Sequence, residues 1–577
     1  MNRLFASLTA LVLLGGCQSI SQPDGSQPTQ EAMPAPVKVE SPPPPKVRDF
    51  SEESLYTLLV AELAGQRNRF DISLAGYVQQ ARETHDPGVA ERAFRIAEYL
   101  GADQAALETV LIWADSAPSN LDAQRAAAVQ LARNGRYDES MRYMERVLQA
   151  QGDTHFDFLA LAAAESDPET RAGLLQSFDR LLAKSPDNGQ LLFGKALLLQ
   201  QDNQPQAALQ LLEKHPASER EIAPLLLRAR LLQSLSRTDE ALPLLRKGIR
   251  QHPDDKRLRL TYARLLVEQG KIGDAKSEFA GLVQQFPEDD ELRLSMALVC
   301  MEDKDWDEAA VYLQELIERG SYVDAAHFHL GRVYEERKDP QSALIEYLLV
   351  APGNYFLPAQ QRQSEILLDS GHSAEASANL AKARANHPDF ALQLYLIEAE
   401  ALSNRQQQDR AWQVIEQALQ QFPDDLNLLY TRAMLAEKRS DLSQLERDLR
   451  FILQREPDNA MALNALGYTL ADRTTRYDEA RTLIEQAYQI NPNDPAILDS
   501  LGWVNYRQGN LRDAERLLRQ ALERLPDQEV AAHLGEVLWA QGKQREARQV
   551  WSKALKENPD SPTVRSTQQR LTGSEKR

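Results

Sequence analysis

Cys17, Cys300, the pair His327 and His329, and the doublets Asp254-Asp255, Asp289-Asp290 and Asp424-Asp425 are the places where this 577-residue chain could carry chemistry. A thiolate can act as a nucleophile, a histidine pair can ligate a metal, and paired carboxylates can divide the roles of general acid and base. The spacing argues against each in turn. Residues two apart on a helix point about 200° away from one another, so His327 and His329 cannot share an ion. Cys300 lies inside the apolar run 296–301 with no polarising neighbour, which reads as a small buried hydrophobe rather than a reactive thiol. The carboxylate doublets follow closely on prolines and precede helical patterns, where their oxygens cap backbone amides and meet the positive end of the helix dipole. His252 and His387 each precede such a proline and read as linker residues. The sequence holds no His-Glu-x-x-His, no phosphate-cradling glycine loop ending in Lys-Ser/Thr and no Gly-x-Ser-x-Gly elbow. The chain is not expected to be an enzyme, and it is assigned no catalytic residue, metal or cofactor.

Cys17 is different because of what precedes it. Residues 1–16 carry one early positive charge, Arg3, then an apolar stretch over 4–14, then Leu14-Gly15-Gly16-Cys17. A stretch this short cannot cross a hydrocarbon core that needs about 20 residues, so it reads as a signal peptide. Its ending resembles a bacterial lipobox, which implies cleavage before Cys17 and acylation of the Cys17 thiol and new amine. More than one acyl chain is enough for stable anchoring without a transmembrane helix. Gln18, rather than Asp, follows the cysteine; in the sorting rule of enteric bacteria that implies the outer membrane. Residues 17–50 are rich in proline, serine and glutamine, with Pro42 to Pro45 consecutive, and read as a disordered tether.

The elements beyond the tether are set by a beat. Pro253, Pro287, Pro388, Pro423, Pro457, Pro492, Pro526 and Pro559 fall one or three units of about 34 residues apart, each followed by Asp, Glu or Asn. Within the units, Gly331, Gly467, Gly502 and Gly535 mark the middle of a first helix, and Gly135, Gly270, Gly371, Gly509 and Gly542 mark a turn. Ala275, Ala309, Ala343, Ala376, Ala480, Ala514 and Ala547 recur early in a second helix. Small residues at these places let two helices pack closely, and the proline stops the second. The expected fold is an all-α solenoid of roughly 14 helical hairpins, each burying its apolar face only against its neighbours.

These residues resemble tetratricopeptide repeats, most clearly over 324–355, where His329-Leu330-Gly331-Arg332-Val333-Tyr334 stands, and over 495–526. The resemblance implies a right-handed superhelix whose first helices line a concave groove for peptides or proteins. At inner-facing positions of that register stand Asn464, Tyr468, Trp503, Tyr506, Arg507 and Trp539, the candidate groove. Aromatics, amides and arginine suit peptide recognition; for Trp503 and Trp539 inter-repeat packing is an equal alternative. The expected layout is signal peptide 1–16, lipidated cysteine and tether 17–50, degenerate helical repeats 51–120, regular solenoid 121–561, and a frayed tail over 562–577.

Composition excludes some partners. Sixty-six basic against eighty-five acidic residues give a net charge of −19, and no basic block is present, which argues against nucleic acid. Nor is a small-molecule substrate expected. The segment 463–508 is similar to a group of lipid-anchored, many-repeat tetratricopeptide proteins of Gram-negative bacteria. That likeness implies a periplasm-facing adaptor of the outer membrane that binds a carboxyl-terminal processing serine protease and presents protein substrates to it, such as peptidoglycan cross-link hydrolases. The alternative is an assembly factor for an outer-membrane secretion, pilus or exopolysaccharide export complex.

Overall fold

A computed structural model describes residues 51–573 apart from 151, 153 and 216–219. The signal-like segment 1–16, the lipidation candidate Cys17 and the tether 17–50 lie outside the described residues, as do 574–577. The described residues form thirty-one α-helices and one 3-10 turn, with no strand among them. None of these helices is long and apolar enough to cross a membrane. The chain divides into two compact units, one running to His155 and the other starting at Phe156.

Consecutive helices pack in pairs, from Glu52–Gln66 with Phe70–Thr84 to Gln528–Ala540 with Gln544–Glu557, giving fourteen regular hairpins. One pair is irregular. The seven-residue helix Phe156–Ala162 packs on Gly189–Gln201 rather than mainly on Pro168–Lys184, the helix that follows it.

Many hairpins begin where the sequence placed a carboxylate or amide. Asp255, Asp289 and Asp425 accept from the backbone N–H groups of Leu258, Leu292 and Leu428, and Asn459 accepts from Ala462. Such caps are worth about 1 kcal/mol each. Between the helices of most pairs the chain passes through a left-handed residue. Gly270, Gly509 and Gly542 fill it without cost, but Asn203, Ser236, Lys304, Lys338, Gln406 and Ser440 hold the equivalent conformation with side chains.

The mid-helix glycines are notches. A Cβ on Gly331, Gly467 or Gly502 would lie 2.7, 2.6 or 2.7 Å from Tyr347, Ile484 or Leu518, the large side chain that the second helix inserts there. On Gly535 it would lie 1.9 Å from the Trp551 indole nitrogen, and Trp551 is fully buried. The recurrent alanines of the second helices are buried throughout. Cys300 is also fully buried, and burial pushes its thiol up to about 12, so it is chemically quiet.

The end of the chain differs from expectation. Residues 562–577 were expected to fray, yet Pro562–Thr572 is a helix capped by Ser561, with Val564 buried against Gln528–Ala540 and Arg570 paired with Glu536. Without a following hairpin, the last repeat would leave Val537 and Leu538 uncovered, and this helix covers that end.

His327 and His329 diverge as their spacing requires: His327 Nδ1 meets Glu346 at 2.7 Å, while His329 packs edge-on against Phe328 and Tyr355. Burial, helped by Arg332, holds His329 down at about 4. An unfolded histidine protonates near 6.5, so this residue lowers stability as pH falls from about 6.5 towards 4. His329→Gln is expected to flatten the urea-midpoint decline between pH 7 and 5 relative to the parent; an unchanged decline contradicts the assignment. Gly535→Ala is expected to cost about 1–3 kcal/mol by overpacking, and Trp551→Leu in the same chain should recover part of that loss, measured by urea denaturation of both variants.

Candidate functional site

The first helices Ala391–Asn404, Leu426–Lys438, Ala460–Arg473, Pro495–Arg507 and Gln528–Ala540 present one face inward, and along it the side chains behave in two ways. Towards the carboxyl end they are tied to one another. His533 Nδ1 lies 3.0 Å from both oxygens of Asp499, and its ring stacks on Trp503 at 4.1 Å and 23°. Tyr468 donates to Glu529 at 2.6 Å and approaches His533 Nε2 at 3.4 Å, which links hairpins two apart. Trp503 Nε1 donates to Asp472 at 3.2 Å. Arg507 donates to the Asp472 carbonyl at 2.9 Å and the Tyr477 hydroxyl at 2.8 Å, and Tyr506 donates to Glu536.

Of the six candidate groove residues, Tyr468, Trp503, Tyr506 and Arg507 therefore fasten neighbouring repeats. Trp539 packs against Trp551 of its own hairpin beneath the guanidinium of Arg548. Asn464 stands apart: its Oδ1 is buried without a hydrogen-bond partner, a deficit of about 1–3 kcal/mol.

The electrostatics of the fastener centre on His533. Burial alone would lower its pKa, but Asp499, with Glu529 and Asp472 behind it, outweighs that and raises it. The carboxylate of Asp499 thus favours the charged form of this buried imidazole. Tyr468 is pushed far up by burial and by Glu529. Glu437, on the preceding first helix, is also pushed up, mainly by burial and then by repulsion from Glu529 and Asp472, against the pull of Arg473. The inner face is short of positive charge.

The open part of the face lies one to two hairpins earlier. A concavity of about 890 Å³ is lined by Leu396, Tyr430 and Met434 on its floor, with Glu400, Asp424 and Glu456 among the carboxylates around it. It also includes Ser403, Asn404, Asn427, Lys438 and Met461. These are the register equivalents of two of the candidate groove residues, fixed by the left-handed turns at Gln406 and Ser440: Leu396 and Tyr430 correspond to Asn464, Glu400 and Met434 to Tyr468. The register could have found them had it been extended backwards. Their aliphatic and acidic types were less conspicuous than tryptophan and arginine.

A second exposed surface lies in the unit that ends at His155. Leu55, Tyr56, Leu59, Val60 and Leu63 of Glu52–Gln66, with Ile72 of Phe70–Thr84, expose 38–70% of their surface. A helix of a folded hairpin seldom leaves such a row uncovered. No group of three or more His, Cys, Asp or Glu able to hold a metal occurs among the described residues.

Comparison with known proteins settles the family. Tetratricopeptide repeat models match residues 232–299, 458–527, and 305–355 with 500–562. TPR repeat-containing protein PA4667 of Pseudomonas aeruginosa is 68% identical over 577 residues, covering 100% of this chain and 97% of that protein. The chain belongs to the tetratricopeptide-repeat family. A more distant relative, cellulose synthase operon protein C of Pseudomonas fluorescens, is 24% identical over 543 residues, covering 81% of this chain and 41% of that protein. Among solved structures, Naa15/Naa10 bound to HypK-THB aligns with a TM-score of 0.39 at 12% identity, covering 90% of this chain and 96% of that one. An all-helical tetratricopeptide solenoid is a scaffold for protein–protein interaction.

The His533–Asp499 pair gives a spectroscopic prediction. In the parent protein the His533 Cε1–H resonance should titrate above 6.5, and in Asp499→Asn its midpoint should fall below the parent's, because burial is then opposed only by the more distant Glu529 and Asp472. The stability the pair contributes is complete below about 6.5 and is lost as pH rises through the raised value. An Asp499→Asn midpoint equal to or above the parent's contradicts this pairing.

Proposed function

We propose that this tetratricopeptide protein is a lipid-anchored adaptor, not an enzyme, held at the outer membrane through Cys17 and facing the periplasm, which binds a carboxyl-terminal processing serine protease and presents protein substrates to it. The observation that carries the reading is the presence of two separate uncommitted surfaces on one chain: the apolar row on Glu52–Gln66 and the open concavity between Ala391–Asn404 and Leu426–Lys438. An adaptor needs one surface for the enzyme and one for its substrate. The whole chain, with its lipobox-like start, proline-rich tether and repeats to the end, resembles LbcA, the lipoprotein partner of the protease CtpA, and the substrates of such an adaptor include peptidoglycan cross-link hydrolases. Holding both proteins on one scaffold raises their effective concentration towards about mM, so weak individual contacts suffice.

In this reading the row on Glu52–Gln66 takes the protease. Substituting Leu55 and Leu59 by Asp changes exposed side chains and leaves the core of the hairpin in place. Mass spectrometry of proteins co-purifying with the anchored chain should find the protease and cell-wall hydrolases; Leu55→Asp with Leu59→Asp should lose the protease, and Cys17→Ser should lose the membrane fraction. Retention of the protease by the double variant removes the assignment of that surface.

The second reading, an assembly factor for an exopolysaccharide export complex, is favoured by the similarity to cellulose synthase operon protein C. It requires an outer-membrane barrel or export component, without a protease, in the same co-purification.

A further inference from the structure

The concavity between the first helices Ala391–Asn404 and Leu426–Lys438 has a floor and a rim of different chemistry. Leu396, Tyr430 and Met434 form a half-buried apolar floor, and methionine there can adapt its shape to different side chains. Around it stand four carboxylates, Glu400, Asp424, Asp425 and Glu456, against the single ammonium of Lys438.

The charges are unequal in their freedom. Lys438 Nζ donates to the Ser403 hydroxyl at 2.8 Å, across the two first helices. Asp425 caps Leu426–Lys438, Asp424 faces Arg455 at 3.3 Å, and Glu456 accepts from Asn459 at 2.8 Å. Glu400, exposed and over the floor, has no hydrogen bond or ion pair among the described residues. The next first-helix carboxylate along the face, Glu437, is half-buried and repelled by Glu529 and Asp472. Arg455 and Arg473 offset part of this charge, but four lining carboxylates stand against one lining ammonium, so a cation placed over this stretch near Glu400 meets a net negative field and an anion is disfavoured.

Resting on the scaffold reading above, we propose that this groove takes a polypeptide segment of a partner protein in which basic residues alternate with large apolar ones, the basic side chains reaching Glu400 and the apolar ones seated on Tyr430 and Met434. Such a segment matches both halves of the site, while a segment ending in acidic groups is repelled. Selection is thus by repulsion as well as attraction. The charge part should weaken as salt screens it, over a Debye length of about 8 Å at physiological ionic strength, and the apolar part should persist.

The test uses the full-length chain and two labelled twelve-residue peptides of alternating leucine with lysine or leucine with glutamate, followed by fluorescence anisotropy. The lysine peptide should bind and the glutamate peptide should not. Glu400→Lys, at an exposed position, should weaken binding at least tenfold, and Tyr430→Ala should weaken it at high salt as well as low, while Glu523→Lys, at an exposed glutamate outside the groove, should leave it unchanged. Because the chain as a whole is acidic, equal losses in Glu400→Lys and Glu523→Lys mean only non-specific attraction and overturn the proposal. Binding of both peptides, or of neither, overturns it too. Co-purification from the envelope separates the two levels of inference: partners captured equally by the parent and Glu400→Lys leave the scaffold standing and remove this groove, whereas a parent that captures no protein partner removes the scaffold reading itself.

Discussion

The distance between the two helices of a hairpin is the constraint on which the remaining structure depends. It is short because Gly331, Gly467, Gly502 and Gly535 leave a notch, and because Tyr347, Ile484, Leu518 and Trp551 from the second helix fill it. Dispersion contacts of this kind are individually small and add up only when the surfaces interlock. Close pairing also decides which way side chains go: with the second helix pressed against one side, each first helix turns its opposite side inward. The inner face therefore inherits its register from a packing requirement. Residues on that face are spaced by the same period as the glycines, so the chemistry of one hairpin meets that of the next at equivalent positions.

What the face does with that register varies along the second unit. Over Ala460–Arg473, Pro495–Arg507 and Gln528–Ala540 the inward positions carry Tyr468, Asp499, Trp503 and His533, which satisfy one another. A buried imidazolium–carboxylate pair gains from its partner only what desolvation removed, so it adds orientation more than stability. It holds two hairpins in one relative setting. Over Ala391–Asn404 and Leu426–Lys438 the same positions carry Leu396, Glu400, Tyr430 and Met434, which do not fasten to one another, and the concavity opens. A fastened stretch beside an open one gives a groove with a fixed wall.

Much of the fold was legible because packing imposes repetition. Proline, glycine and alanine recur at one period, and the helix caps fell on Asp255, Asp289 and Asp425, where carboxylates precede helical patterns. The turns were only half legible. Glycine marked Gly270, Gly509 and Gly542, but Ser236, Lys304, Lys338, Gln406 and Ser440 adopt the same left-handed conformation, and nothing in their type announces it. Helix pairing on both sides overrides the local cost. The terminal helix Pro562–Thr572 was missed because its reason is non-local: it exists to cover the last hairpin. At the inner face, the register identified the positions. Residue type alone left two roles open for them: Trp503 and Arg507 bond to the neighbouring repeat, while Trp539 packs within its own hairpin.

The use of Trp503 and Arg507 between repeats has a physical basis that applies to solenoids generally. A large aromatic or a guanidinium on an inner face can satisfy itself most cheaply against the next repeat, which is always present, whereas a ligand is not. A residue with strong, directional bonding is thus the one most readily consumed by the scaffold. What is left for a partner is the position where the scaffold offers no mate: a carboxylate such as Glu400 with no cation bonded to it, or an apolar floor such as Tyr430 and Met434. The acidity of the whole chain acts in the same direction. With a net charge of −19, exposed surface of this chain is on average more negative than positive, which favours partners of the other sign. Specificity along such a face follows from which positions the repeats leave unmatched.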